Sequence, residues 1–187
     1  RGDRRGSRNP DEGMTMAQHD FPEGVITLAV DVGGSGVKAA LLDADGQMIS
    51  ERYRVDTPYP CPPPRLVETI AAVGEHLGHF DRATVGFPGL VRGGVVYMVP
   101  SLSRIELEGE TSPELAALWR GFDLESALNE ALARPVRVAN DADVQGCAVI
   151  SGHGMEFVMT LGTGIGTALF FNGILQPHLE LGHAMFR

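Results

Sequence analysis

The sequence predicts an α/β protein built on mixed sheets, and three observations carry that expectation. Short β-rich runs alternate with amphipathic helical stretches along the chain. Two segments, Val30-Asp31-Val32-Gly33-Gly34-Ser35-Gly36-Val37-Lys38 and Thr160-Leu161-Gly162-Thr163-Gly164-Ile165-Gly166-Thr167, repeat one pattern of strand, glycine turn and strand. A further run, Pro135-Val136-Arg137-Val138-Ala139, passes straight into Asn140-Asp141 and a helical stretch, the junction at which α/β folds place ligand-contacting residues.

The elements follow in order. Val25 to Val30 is a β-rich run ending at Asp31, Val37 to Leu42 is a second strand, and Asp43-Ala44-Asp45-Gly46 is a turn signal. Met48 to Val55 alternates as a third strand. Cys61-Pro62-Pro63-Pro64 bars regular structure, and Pro64 can open a helix whose buried face is Leu66, Ile70, Val73 and Leu77, ending near Gly78. Ala83 to Gly86 is a fourth strand entering a Gly86-Phe87-Pro88-Gly89 turn, and Arg92 to Val99 adds a strand or hairpin. Pro100 to Pro113 is polar and acidic, which predicts a surface loop beside a cleft. Phe122, Leu124, Ala127, Leu128, Ala131 and Leu132 predict a helix with Asp123 near its start. Ala142 to Ile150 reads as a helix. Glu156 to Leu161 and Ile165 to Phe171 are strands joined by the second glycine loop, with Asn172-Gly173 as a turn. The paired strand–glycine loop–strand units fit a duplicated architecture.

Composition sets limits. The 187 residues carry 43% hydrophobic and 21% charged residues, ordinary for a globular protein with a buried core. A formal net charge of −9 argues against a nucleic-acid or anionic-membrane surface. Cys61 and Cys147 stand far apart in no metal-ligand spacing and read as free thiols of a reducing compartment, the cytoplasm. No apolar run approaches the roughly 20 residues that span a bilayer. Residues 1–20 are polar and glycine-rich without a signal-peptide core, which predicts a disordered segment with a natural start at Met14 or Met16.

Glycines at such turns let backbone N–H groups converge on an anion. Gly33, Gly34, Ser35 and Gly36 in the first loop, and Gly162, Thr163, Gly164 and Gly166 in the second, are therefore candidate phosphate contacts. Asp31, a carboxylate beside such amides, is a candidate Mg²⁺ holder, and its alternative is a turn-satisfying Asp. The Ser35 hydroxyl can donate to a phosphate or close the turn. Lys38 can face the phosphate or the solvent. Asp141 is a candidate general base with Asn140 holding a neighbouring hydroxyl, while either residue can equally cap the following helix. Asp143 reads as a helix-start charge. Glu180 and His183 can bind sugar hydroxyls, His183 can ligate a metal, or both can sit in a polar turn after Pro177.

Taken together these motifs resemble the ROK family of sugar kinases, within the actin/hexokinase-type ATPase superfold. Asp31-Val32-Gly33-Gly34-Ser35-Gly36-Val37-Lys38 is similar to the family's Asp-x-Gly-Gly-Thr-x-x-Lys loop, with Ser35 keeping the hydroxyl of the usual Thr. Gly86-Phe87-Pro88-Gly89 resembles its Gly-x-Pro-Gly turn, and Asn140-Asp141-Ala142-Asp143 its catalytic segment. Leu161 to Gly166 resembles its second phosphate loop, and Glu180-Leu181-Gly182-His183 its Glu-x-Gly-His sugar motif. The match runs in order from about Ile26 to the last residue, and the second loop and Glu-Leu-Gly-His look most like the polyphosphate glucokinase branch.

The resemblance implies an actin/hexokinase-like (ribonuclease H-like) two-lobe α/β fold with mixed sheets: residues 21–139 as the first lobe, and 140–187 as the start of a second, truncated lobe. It implies phosphoryl transfer from ATP or polyphosphate, with Mg²⁺, to a hexose hydroxyl, glucose first. Asp141 would be the base, and Asn140 and Glu180 would hold sugar hydroxyls. His183 would support the sugar or a structural zinc. The cysteines that bind zinc in most ROK kinases follow the Gly-His, where only four residues remain here. It also implies a homodimer in the full-length form. Because family members continue further, a chain ending at Arg187 is expected to have an unfinished sheet and little kinase activity by itself. Alternatives are a kinase for fructose, mannose or an N-acetylated amino sugar, a non-catalytic sugar-binding module, and a sugar-responsive regulator. The last needs a helix-turn-helix, for which the roughly 20 residues before Phe21 are too few.

Overall fold

The computed structural model describes residues 24–161 and 165–178. The expected disorder of residues 1–20 lies outside that range, as do Gly162, Thr163, Gly164, Glu180 and His183. Among the described residues the architecture is a five-stranded mixed sheet flanked by helices, with a three-stranded sheet packed beyond the last helix.

The first sheet begins with β1 (Thr27–Val32), β2 (Gly36–Leu42) and β3 (Tyr53–Asp56), an antiparallel meander. The expected third strand, 48–55, contracts to 53–56 for a local reason. Ser50 Oγ accepts the Leu41 N–H at 2.9 Å, so a side chain takes the place of a ladder carbonyl and Met48 makes only an isolated bridge to Leu42. Helix α1 (Pro63–Leu77) opens on proline, where a missing N–H costs nothing, and Gly78 ends it at φ 93°. Leu66, Ile70 and Val73 are its buried stripe, as the spacing predicts.

β4 (Arg82–Phe87) returns parallel to β1, and β5 (Leu90–Arg92) with β6 (Val95–Met98) forms a hairpin. Gly93 and Gly94 turn it with φ of 54° and 81°, the left-handed pair that tight hairpins require. The stretch after it is the irregular, largely exposed loop the composition predicts, anchored near its start and closed by a helix. Leu102 and Ser103 are buried, and Pro113 starts a helix, α2 (Pro113–Trp119), capped by Ser112 Oγ accepting from the Leu115 N–H. Trp119 is 0% exposed, lies 5.5 Å from Phe87 between ring centroids, and donates Nε1–H to the Cys61 carbonyl at 3.0 Å.

Helix α3 (Leu124–Leu132) is capped by Asp123, and buries Leu124 and Leu128. β7 (Val136–Asn140) pairs parallel with β4 and is the sheet's edge. Side chains from α3 blunt that edge: Asn129 Oδ1 accepts the Val136 N–H and Glu125 Oε2 the Val138 N–H, both at 2.9 Å. The strand order is β3-β2-β1-β4-β7. Leu28, Val30, Val32, Val85 and Phe87 join Leu66, Ile70, Trp119 and Leu128 in the main core.

Helix α4 (Asp141–Cys147) leaves β7 without a loop. It ends three residues before the expected Ile150, in tightened turns in which Ala148 N–H donates to Gln145 O and Val149 N–H to Gly146 O. Beyond it, β8 (Met155–Leu161), β9 (Ile165–Phe171) and β10 (Ile174–Leu175) form the small antiparallel sheet, ordered β10-β9-β8. Gly146 and Gly166 let α4 and β9 meet closely. A Cβ on Gly146 would stand 2.8 Å from the Phe170 ring, and one on Gly166 would stand 2.6 Å from Ala142 Cβ. Among the described residues β8 is an edge strand, and it exposes Met155, Phe157, Met159 and Leu161. No helix among the described residues is long and apolar enough to cross a membrane.

Candidate active site

Three parallel strands end side by side. The register pairs Asp31 of β1 with Gly86 of β4, and Gly86 with Ala139 of β7, so Asp31, Gly86 and Ala139 form one row across the sheet. At about 4.8 Å between neighbouring strands, the Asp31 and Ala139 backbones stand roughly 10 Å apart. Just past that row lie the first glycine loop, the Gly86–Gly89 turn and the start of α4.

The first glycine loop is held through its carbonyls. Thr57 Oγ1 donates to Gly33 O at 2.7 Å, Tyr59 Oη to Gly34 O at 2.6 Å, and Arg54 Nη2 to Ser35 O at 3.0 Å. The Gly33 N–H closes the turn on Gly36 O at 3.0 Å. The three side-chain bonds draw the loop carbonyls toward β3 and the segment after it. A Cβ on Gly36 would lie 2.7 Å from Arg54 Nε, so a larger residue there would displace the guanidinium that holds the Ser35 carbonyl. The sequence pointed to the loop, but not to Arg54, Thr57 and Tyr59, which set its shape from about 20 residues away.

Asp31 and Lys38 are cross-strand partners, and Lys38 Nζ lies 3.2 Å from Asp31 Oδ2. Both side chains are about half exposed, so the alternatives left open for Lys38 resolve into an ion pair beside the loop. Among the described residues no group of three or more His, Cys, Asp or Glu side chains is placed to hold a metal ion. Asp31 offers one carboxylate, which suits Mg²⁺, an ion that keeps several waters and takes its other ligands from bound phosphates.

Asn140 is 5% exposed and caps α4. Its Oδ1 accepts from Ala142 N–H at 2.8 Å and Asp143 N–H at 3.4 Å, and its Nδ2 donates to Gly89 O at 3.0 Å. The capping alternative is therefore real, and it leaves one Nδ2–H for a further acceptor. Asp141 is half-buried in the first helical turn, with Oδ1 accepting from the Ala142 N–H at 2.8 Å. Gly86 packs beside it, and a Cβ there would meet the Asp141 Cα at an ordinary contact distance of 3.6 Å. Gly166 packs against Thr160 Oγ1 and Ala142, so the described flank of the second loop lies against the first turn of the same helix. One helix start thus touches the Gly-Phe-Pro-Gly turn and the β8–β9 hairpin together.

Two further features escaped the sequence reading. Asp143 is 4% exposed and its Oδ1 lies 3.0 Å from Nδ1 of His178, itself 6% exposed. It lies in the first turn of α4 as expected, and it is also the buried partner of that imidazole. Ser101 Oγ is buried with no hydrogen-bond partner among the described residues, and its Cβ lies 3.5 Å from a Cβ placed on Gly34. Nothing local marks either contact, because both join segments far apart in the chain.

The class that this fold and strand-end site define is the mixed α/β architecture of actin/hexokinase-like kinases. The family model described as ROK family matches residues 27–186, and the chain belongs to the ROK family. It is 33% identical over 179 residues to a polyphosphate glucokinase of Mycobacterium tuberculosis (strain H37Rv), covering 91% of this chain and 60% of that protein. It superposes on an inorganic polyphosphate/ATP-glucomannokinase from Arthrobacter sp. strain KM with a TM-score of 0.70 and 33% identity, over 88% of this chain and 64% of that one. A ROK family glucokinase from Streptomyces griseus, in complex with glucose and AMPPNP, matches with a TM-score of 0.63 and 26% identity, over 81% of this chain and 46% of that chain. The chain thus spans about 60% of the length of that curated relative.

Proposed function

We propose that this protein transfers a phosphoryl group from ATP or polyphosphate to the 6-hydroxyl of a hexose, with glucose as the first substrate to try. The observation that carries this is the placement of Asp141: a half-buried carboxylate in the first turn of α4, two residues past the strand-end row. Two relatives reported above are polyphosphate or polyphosphate/ATP kinases of glucose or glucose and mannose, which supports both the donor pair and the acceptor class.

In the proposed reaction the hexose oxygen attacks the terminal phosphorus of the donor while its proton passes to an Asp141 carboxylate oxygen. The bond from that phosphorus to the bridging oxygen breaks, and the electron pair leaves with the shortened donor. Asn140 offers its second Nδ2–H to a neighbouring sugar hydroxyl, and Glu180 and His183 complete the sugar contacts. Gly34, Ser35 and Gly36 turn amides toward the donor around the turn that Gly33 closes, as do Gly162, Thr163, Gly164 and Gly166 from the second loop, and Lys38 lends positive charge. Mg²⁺ near Asp31 would neutralise charge on the donor phosphates. The lobe boundary at 139/140, a cytoplasmic site of action and a homodimer in the full-length form belong to the same proposal. Mannose is the second substrate to test, because the Arthrobacter protein is a glucomannokinase.

Asp141→Ala in the full chain tests the base. Hexose 6-phosphate formation should fall by about 10²–10⁴-fold, while calorimetric glucose affinity stays within a few-fold. Turnover that survived the exchange would remove Asp141 from the role.

A further inference from the structure

Among the described residues only two buried side-chain polar atoms lack a hydrogen-bond partner, Ser101 Oγ and Arg104 Nε, and both belong to the stretch after β6. Their neighbour Ser103 is buried and satisfied, its Oγ donating to Val99 O at 2.7 Å. Arg104 Nη1 donates to Leu107 O at 3.2 Å, which fixes one arm of the guanidinium and leaves Nε without an acceptor. The same stretch is fastened to the first glycine loop. Tyr59 Oη lies 2.6 Å from Gly34 O and 3.0 Å from Ser101 O, and Ser101 Cβ lies 3.5 Å from a Cβ placed on Gly34. Burial raises the Tyr59 phenol above its ordinary value and Cys61 adds to this, while the positive charge of Arg104 opposes both, so the guanidinium acts on the hydroxyl that clamps the loop.

We propose that Ser101 and Arg104 form an oxyanion-binding wall of the phosphoryl-donor site, with the serine hydroxyl and the guanidinium donating to phosphate oxygens at the first glycine loop. This deepens the kinase reading above and rests on it for the identity of the ligand. Folded chains satisfy nearly all of their buried polar groups, and an idle buried donor is costly. Arginine donates and never accepts, so the partner it lacks is an acceptor, and its charge favours an anion. Both residues are partly exposed as a whole, so a change of rotamer turns the idle atoms toward a ligand at the loop. Tyr59 carries one hydrogen for two carbonyls, Gly34 O and Ser101 O, and so keeps the wall and the loop together.

The test uses Ser101→Ala and Arg104→Gln in the full chain, with inorganic tripolyphosphate and glucose as calorimetric probes. Ser101 Oγ has no bond to lose in the free protein, so Ser101→Ala should leave the Tm unchanged or raise it. Each variant loses a hydrogen bond to a charged ligand, so tripolyphosphate should bind about 10-fold or more weakly, with glucose affinity within about 2-fold of the parent. The donor KM should rise in step with the tripolyphosphate dissociation constant. Ser101→Ala decides the matter alone if Arg104→Gln unfolds. Unchanged tripolyphosphate affinity in Ser101→Ala, a glucose affinity that falls as much or more, or a Tm lowered by several degrees would each overturn the proposal. A parent chain that binds tripolyphosphate but turns no hexose over would end the kinase reading and leave the wall standing. Hexose turnover with a donor KM untouched by either exchange would do the reverse.

Discussion

Replacing Asn140 separates two jobs that one buried side chain performs. Its Oδ1 caps α4, and its Nδ2 satisfies the Gly89 carbonyl. Losing an N-cap costs about 1 kcal/mol, and stranding a buried carbonyl about 1–3 kcal/mol. Asn140→Ala, which does both, should therefore cost about 3 kcal/mol, or a Tm lower by roughly 6–12 °C for a domain of this size. Asn140→Ser keeps a capping oxygen and loses the Gly89 contact, so it should recover about 1 kcal/mol of that loss. Asn140→Asp keeps the cap but sets a buried anion against the Gly89 carbonyl and beside Asp141 and Asp143, so it should be the worst of the three. Urea unfolding can be followed by the fluorescence of Trp119, the only tryptophan in the chain. An alanine variant that lost less than about 1 kcal/mol, or an aspartate variant as stable as the parent, would refute this division of labour.

Four other outcomes follow from the packing. Gly166→Val forces side-chain atoms into Ala142 and Thr160, and should destabilise by about 1–3 kcal/mol in the same urea assay while lowering donor affinity more than hexose affinity. Trp119→Phe leaves the buried Cys61 carbonyl without its donor, and should cost about 1–3 kcal/mol by calorimetry. Burial pushes the Cys61 thiol up to about 11; burial and the Asp143 carboxylate also raise the Cys147 thiol, but that side chain is exposed. A disulfide reagent at pH 8 should therefore titrate one thiol quickly and the second only with unfolding. Hydrogen bonds from Ser126 to Asp123 and from Ser151 to Glu156 hold both carboxyls below the usual carboxylate range. Their contribution is complete above that range and disappears as pH falls through the depressed values, so Asp123→Asn should flatten the acid limb of a stability–pH curve.

Local chemistry explains which parts of the fold the sequence disclosed. The apolar stripe of α1, its proline start and Gly78, the Asp123 cap and the run of Val136–Asn140 into a helix each depend on neighbours within a few residues, and each lies where the pattern predicts. Helix α2 did carry a local signal, Ser112-Pro113-Glu114, but seven residues are too few to show a helical period, and its polar approach resembles a loop. The third strand shortens because a serine hydroxyl competes for a ladder N–H, a choice that alternation cannot express.

The site divides along the same line. Its glycines, Asn140 and Asp141 were legible because turns and strand ends demand particular residue types at fixed spacing. The residues that hold them were not. Arg54, Thr57 and Tyr59 reach back across 19, 24 and 25 positions to the first loop, and His178 reaches back 35 to Asp143. Each taken alone is an ordinary polar residue, and only the fold reveals its partner. Buried polar groups are where stability is lost when a partner is missing. The long-range contacts at Gly33–Ser35, Gly89 and His178 are therefore where substitutions should disturb the geometry around Asp141 without altering a motif residue.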